Sequence, residues 1–317
     1  MDTIVKYDPL QDFASCTLCP RECQVDRING NRGYCKGDDT YNIAAVCLHH
    51  GEEPPVSGKE GICNVFFTHC NLQCIYCQNY QISDNRIPGS MTRFTLEEVT
   101  HKIITFLDQG VRRVGLVSPS HCIPQVKSII QAVRSSGYQP VWVYNTNGYD
   151  KPETIRLLEG WIDVWLPDFK YMDAPLARSW SGAENYPEVA TAALREMFRQ
   201  KGSTLLTDEQ GGVESGLIIR HLVLPGQIDN SLKILRFIAR ELSPRIHLSL
   251  MSQYYPTPNV ADHPLLGRTL APEEYLKVTE EMEKLGMERG WIQDFDSSFH
   301  YRPDFDRDHP FDGELQA

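Results

Sequence analysis

The stretch "ICNVFFTHCNLQCIYC", residues 62–77, joins an apolar run to three cysteines, Cys70, Cys74 and Cys77, with three and then two residues between them. A short apolar run of this kind reads as a buried strand, and the chain after it repeats the pattern. With Ile62–Thr68 as the first, six strands are expected, the others being "RVGLVSP" from Arg113, "PVWVYNT" from Pro140, "IDVWLPD" from Ile162, "LIIRHLVLP" from Leu217 and "IHLSLMS" from Ile246. Segments of helical period separate or follow them, at Leu96–Gln109, Pro124–Ser136, Pro152–Leu158, Pro187–Gln200, Ser231–Leu242 and Pro272–Leu285. Thr95 with Glu98 three residues on marks a capping box, and Pro152 ahead of Glu153 suits a first helical turn. Such alternation implies an α/β fold with a parallel sheet, and six βα units curl into a partial or full barrel whose chemistry belongs at the carboxyl ends of the strands. The segment "GSTLLTDEQGGVESG", residues 202–216, breaks the alternation and is expected to be a hairpin or an insertion.

Composition narrows the class. Of 317 residues, 41% are hydrophobic and 23% charged, as in a soluble globular protein. No run of about 18 apolar residues is present and the amino terminus lacks a signal-peptide pattern, so the expectation is a cytosolic protein without a membrane span. A net charge of -11 argues against binding nucleic acid. Ten cysteines in a reducing compartment point away from disulfides, and seven fall in two tight groups, which points to metal. Three regions are expected: a Cys-rich, loop-rich metal-binding extension over 1–60, the barrel over 61–300, and a tail over 301–317. The polar, aromatic residues from 295 onward are expected to be a flap over the core or partly disordered.

Thiolates favour zinc or iron-sulfur clusters. A structural zinc at Cys70, Cys74 and Cys77 needs a fourth ligand, with His69 a candidate. A 4Fe-4S cluster on three cysteines instead keeps one iron free for a small molecule, whereas four-cysteine ferredoxin patterns close every iron. The second group, Cys16, Cys19, Cys23 and Cys35, has Gly30, Gly33 and Gly37 for tight turns and suits a structural zinc or a second iron-sulfur cluster, with four free thiols as the plain alternative. Cys47 is a further candidate there, while Cys63 and Cys122 read as small core residues. His49, His50, Glu52 and Glu53 read as solvated loop charges. Arg220 and His221 are neighbours in a strand, so at most one faces inward. Trp142, Tyr144, Trp161 and Trp165 read as packing residues, and no phosphate-binding Walker lysine loop or Ser-His-Asp order is present.

"CNLQCIYC" fits the CxxxCxxC motif of radical S-adenosylmethionine (SAM) enzymes, including the aromatic Tyr76 before the last cysteine. Together with "CTLCPREC", "HHGEEPPVSG", "YNTNGYD", "LPDFKY" and "IRHLVLPG", it resembles the PflX-type proteins related to pyruvate formate-lyase activating enzyme, over about residues 15–300. The resemblance implies a partial (β/α)6 radical SAM barrel. It implies that Cys70, Cys74 and Cys77 bind a 4Fe-4S cluster whose open iron chelates the amino and carboxylate groups of SAM. One electron from the reduced cluster then gives methionine and a 5′-deoxyadenosyl radical that abstracts hydrogen from a substrate. Activases carry segments resembling "DTNG" and "LDLK" that help hold SAM; the matches are "NTNG", Asn145–Gly148, and "PDFK", Pro167–Lys170, which carry Asn145, Asp168 and Lys170 over as SAM-site residues. Where activases have a Gly-Gly-Glu motif for the SAM amino group, this chain has "VSPSHCIP", residues 117–124. Ser118, Ser120 and His121 lie there without a carboxylate.

The expected activity is therefore that of an activase-like oxidoreductase acting on a glycine of a partner protein, another peptide or a small metabolite. A low-potential donor such as flavodoxin or ferredoxin would reduce it. The alternatives are an iron-sulfur electron carrier or redox sensor that does not cleave SAM, and a zinc-stapled binding module.

Overall fold

The computed structural model describes residues 9–86, 93–295, 302–307 and 309–311. Among the described residues ten strands are formed: β1 (Tyr41–His49), β2 (Ile62–Phe67), β3 (Arg93–Phe94), β4 (Arg113–Val117), β5 (Val141–Thr146), β6 (Val164–Pro167), β7 (Leu206–Thr207), β8 (Val213–Leu222), β9 (His247–Met251) and β10 (Gly290–Ile292). They lie in the order β10-β9-β8-β6-β5-β4-β2-β1-β3, with β7 paired to β8. From β2 to β10 every neighbouring pair on this path is parallel. Residues from β2, β4, β5, β8, β9 and β10 line one cavity, so the sheet wraps around it. Its two ends do not pair with each other among the described residues, which makes the barrel partial.

All six expected strands are present, and each expected helix is found within a few residues of its expected bounds. All six residues of β2 are buried, as a continuous apolar run in a parallel sheet requires. The helix Leu96–Asp108 starts at the expected capping box, with Glu98 N donating to Thr95 Oγ1 at 3.1 Å and Thr95 N donating to Glu98 Oε2 at 2.7 Å. Residues 202–216 contain the β7–β8 hairpin.

Beyond the short elements Pro9–Ala14, Pro54–Ser57, Tyr80–Ser83 and β3, three departures from the expectation bear on the site. The extension is not all loop, because β1 pairs antiparallel with β2 across the division at residue 60. An irregularity between Ile43 and Ala45 breaks its side-chain alternation, which hides the strand from a period-two reading. β10 adds a seventh parallel strand of only three residues, too short for a sequence signal. The helix Ala174–Ser181 was not expected; Asp173 caps it, its side chain accepting from Leu176 N at 3.0 Å. Of the tail, residues 301, 308 and 312–317 lie outside the described part. The remainder acts as a flap: Phe305 and Phe311 pack on Phe66 with ring centroids 5.1 and 5.8 Å away, and Gln81 Nε2 donates to Asp304 at 3.1 Å.

Side chains alternate on β8 as expected. Arg220 enters the cavity, while His221 turns to the other face, where Nδ1 lies 2.7 Å from Phe169 O and Nε2 lies 2.9 Å from Ser231 Oγ. A carbonyl only accepts, so Nδ1 carries the proton and Nε2 accepts from the serine. Burial lowers the His221 pKa from 6.5 to about 4. Between those values the unfolded chain binds a proton that the folded chain refuses, so stability falls as pH drops through that window. Urea unfolding from pH 7 to pH 4.5 is expected to show this loss, reaching about 1.4 kcal/mol per pH unit for this one group. A His221→Gln variant should have a correspondingly shallower slope; an unchanged slope would show that His221 is not the source. Trp142, Tyr144 and Trp165 are fully buried, and Trp161 is half-buried with Lys127 and Arg134 over its ring.

Candidate active site

The three-cysteine loop leaves the carboxyl end of β2 and is pinned on both sides. His69 N donates to Ile82 O at 2.7 Å, and Ile75 N donates to Trp180 O at 2.9 Å, on the helix Ala174–Ser181. His69 has a left-handed backbone, φ 63°, which turns the chain sharply ahead of Cys70. The result brings Cys70, Cys74 and Cys77 to one cavity of about 470 Å³. Tyr76, Ser118, Asn145, Asp168 and Lys170 line the same cavity and so converge with the three cysteines.

Each sulfur receives a hydrogen bond. Leu72 N at 3.3 Å and Asn147 Nδ2 at 3.2 Å donate to Cys70 Sγ, Ser181 Oγ at 3.0 Å to Cys74 Sγ, and Ser83 Oγ at 3.2 Å to Cys77 Sγ. The Cys74 bond ends a chain, since Tyr76 OH and Tyr171 OH are 2.7 Å apart and Tyr171 OH lies 2.7 Å from Ser181 Oγ. A serine hydroxyl has one hydrogen, which Ser181 gives to sulfur, so Tyr171 donates to Ser181 and Tyr76 to Tyr171. Donors aimed at three sulfurs suit thiolates. Burial, with the neighbouring Cys74 adding to it, pushes the Cys70 thiol up to about 12 and the Cys77 thiol up to about 11, so ligation has to displace their protons. The donor set thus fits a thiolate-bound metal cluster.

Across the cavity lies a charge network whose side chains are largely but not fully buried, at 10–20% exposure. Arg220 donates through Nε to Asp168 Oδ1 at 2.8 Å, through Nη1 to Glu52 Oε2 at 3.0 Å and through Nη2 to Asn145 Oδ1 at 2.6 Å. Lys170 Nζ donates to Asp168 Oδ2 at 2.7 Å. Burial pushes the Asp168 carboxyl up, but Arg220 and Lys170 outweigh it and hold it below its usual range. Glu53 has no such pairing: burial raises its pKa, and its Oε2 has no hydrogen-bond partner among the described residues.

Glu52, Glu53 and His49 therefore correct the expectation of solvated loop charges: the loop after β1 folds inward and lays both glutamates against the cavity, and His49, the last residue of β1, lines it too. Ser120 and His121 correct it in the other direction. Ser120 Oγ pairs with Thr146 Oγ1 at 3.0 Å and His121 Nε2 with Thr68 O at 2.9 Å, both behind the cavity wall. Of that segment Ser118, at φ 55°, reaches the cavity. Cys47 packs beside Phe66, Ile82 and Val117 rather than joining the other N-terminal cysteines, and Cys63 and Cys122 are buried in the core as expected.

Asn147 was missed as a site residue although "NTNG" drew attention to its neighbour. It donates to Cys70 Sγ and, at 2.8 Å, to Asn71 Oδ1. Gly148 follows at φ 78°, where an added Cβ would lie 2.5 Å from Asp168 O and 2.9 Å from Tyr186 OH. Gly148→Ala is expected to cost about 1–3 kcal/mol in urea unfolding, because it strains the backbone and pushes on the Asp168 carbonyl. A loss of a few tenths would mean that the turn is loose.

Residues 56–186 match the family model of a 4Fe-4S single cluster domain. The FeFe-hydrogenase maturase HydG from Carboxydothermus hydrogenoformans superposes with a TM-score of 0.51 at 13% identity, over 73% of this chain and 52% of HydG. This chain therefore spans about half of HydG's length, and the likeness is one of fold, that of the radical SAM barrels. Uncharacterized protein MJ0674 of Methanocaldococcus jannaschii is 30% identical over 281 residues, 87% of this chain and 76% of MJ0674. The chain belongs to the MJ0674 family. MJ0808 of the same organism is 24% identical over 297 residues, 86% of this chain and 82% of MJ0808. The cluster loop, Ser118, the Asn145–Gly148 turn, Asp168 and Lys170 all fall within the 4Fe-4S match, whereas Glu52, Glu53 and Arg220 fall outside it. Among the described residues no helix is long and apolar enough to cross a membrane.

Proposed function

We propose that this protein is a radical SAM enzyme of the activase-like type, working in the cytosol on a hydrogen atom of a protein, peptide or small-molecule substrate. The observation that carries the reading is the convergence of Cys70, Cys74 and Cys77, each sulfur with its own donor, on a cavity that also holds Asp168, Lys170, Asn145 and Ser118. When bound, the 4Fe-4S cluster and SAM supply reductive cleavage of SAM and hydrogen abstraction by the resulting 5′-deoxyadenosyl group.

The chain's own part is to bind, orient and exclude water. The three cysteines hold the cluster and, being only three, leave one iron for SAM. A cavity of about 470 Å³ is within the usual range for a cofactor-sized ligand. Asp168 supplies a carboxylate for the SAM ammonium in place of the one absent from residues 117–124. Lys170 and Arg220 keep that carboxylate ionised and fixed. The described tail, with Pro303 and Phe311 on the cavity wall, limits water. A low-potential one-electron donor of the flavodoxin or ferredoxin kind is the partner this reading requires.

Adding SAM to the anaerobically reduced protein should change the electron paramagnetic resonance spectrum of the cluster. A cluster spectrum indifferent to SAM would instead favour an electron carrier or redox sensor.

A further inference from the structure

We propose that Cys16, Cys19, Cys23 and Cys35 hold a second 4Fe-4S cluster, closed by four thiolates and braced against the barrel. The four side chains line one small void together with Arg27 and His121. Every sulfur has a donor near it. Tyr34 N donates to Cys23 Sγ at 3.3 Å, Arg27 Nη1 reaches Cys16 Sγ at 3.9 Å, and the backbone N–H groups of Arg21 and Gly37 serve Cys19 and Cys35. This repeats the pattern at the first cluster loop and is what charged sulfurs need.

Backbone strain marks the same place. The non-glycine residues with left-handed backbones among the described residues are Glu22, Gln24, Lys36, His69 and Ser118. The first three flank Cys23 and Cys35, and the other two flank or line the first site. Strain of this kind persists where the surroundings hold it and collects at functional sites. Gly33 is needed for contact, since a Cβ there would come within 2.8 Å of Cys23 Sγ.

One buried group calls for an anion in the void. Arg27 is 1% exposed and donates to the carbonyls of Asp38 and His121 and to Cys16, and no carboxylate lies in ion-pair range of it among the described residues. A buried guanidinium without a countercharge is costly, and a cluster with four thiolates is a net anion that supplies one.

The spacing favours a cluster over zinc. Among the described residues no three His, Cys, Asp or Glu side chains converge closely enough to share a single metal ion. Four sulfurs spread around one void suit a cube, whose irons bind one thiolate each. Arg21 couples this centre to the first. It sits between Cys19 and Cys23, donates through Nε to Asn71 O at 2.9 Å and through Nη1 to Gly182 O at 2.7 Å, and so touches the neighbours of Cys70 and of Ser181, the donor to Cys74.

The test is iron and acid-labile sulfide per chain in anaerobically purified full-length protein, with circular dichroism as the check on folding. The triple variant Cys70→Ala/Cys74→Ala/Cys77→Ala should keep about half of the wild-type iron and sulfide. Adding Cys19→Ser and Cys35→Ser should remove the rest. In the reciprocal variant, Cys19→Ser/Cys35→Ser alone, about half should remain, which decides the matter if the triple variant does not fold. A triple variant without iron, whether it holds zinc or no metal, would overturn the second cluster and leave the proposed function intact. Full iron retention in the reciprocal variant would overturn it equally. A triple variant with all of its iron would instead sink the proposed function.

Discussion

Arg220→Met is expected to lower the stability of the protein by about 3–5 kcal/mol, the usual cost of stripping one partner from a buried ion network. The side chain is 14% exposed and makes one bond each to Asp168, Glu52 and Asn145. Methionine fills comparable space, so the loss comes from charge and hydrogen bonding rather than from a cavity. Lys170 still offsets Asp168, but Glu52 keeps only the amides of Asn64 and Asn145, 3.1 and 3.4 Å from its Oε1. The arithmetic can be isolated with a double-mutant cycle. Glu52→Gln should cost much less in the Arg220→Met background than in the native chain, since the charge it removes is then already unpaired. A loss below about 1 kcal/mol for Arg220→Met, as for an exposed pair, would show that water reaches the network and that Asp168 is not held as described.

That network also shows where sequence reading stops. The parallel strands and their helices were legible because apolar runs and helical period repeat along the chain and each signal is local. The cluster loop was legible because three thiols at that spacing have few other uses. Asp168 and Lys170 were reached through resemblance, and the structure brings them to the same cavity. Glu52 and Glu53 were not legible: an acidic pair in a Pro-ended loop is solvated in most proteins, and what buries this one is Arg220, far along the chain on β8. Asn147 was hidden for a related reason, because a turn asparagine usually bonds its own backbone, as Asn147 also does with Tyr149 N at 2.8 Å. His121 looked like part of the SAM pocket by sequence position. A left-handed Ser118 turns the chain so that His121 faces the N-terminal cysteines instead.

Cys74→Ala carries the other large effect. The residue lies mid-loop, its sulfur accepts the last hydrogen bond of the Tyr76–Tyr171–Ser181 chain, and Lys170 beside it counters the burial that raises its pKa. Removing it leaves two thiolates, too few to hold a cube and keep a single iron open. Because Ser181 then loses only a sulfur acceptor, with Tyr171 still donating to it, folding should survive with a loss of about 1–3 kcal/mol. SAM cleavage should fall by at least about four orders of magnitude, equivalent to about 5–6 kcal/mol of barrier.

The most direct measurement is the yield of 5′-deoxyadenosine and methionine from SAM after anaerobic reconstitution and chemical reduction, with native and Cys74→Ala proteins assayed side by side. The account predicts stoichiometric or greater 5′-deoxyadenosine from the native protein and none above background from the variant. Equal yields from the two proteins, or no 5′-deoxyadenosine from a native protein with its clusters intact, would contradict it.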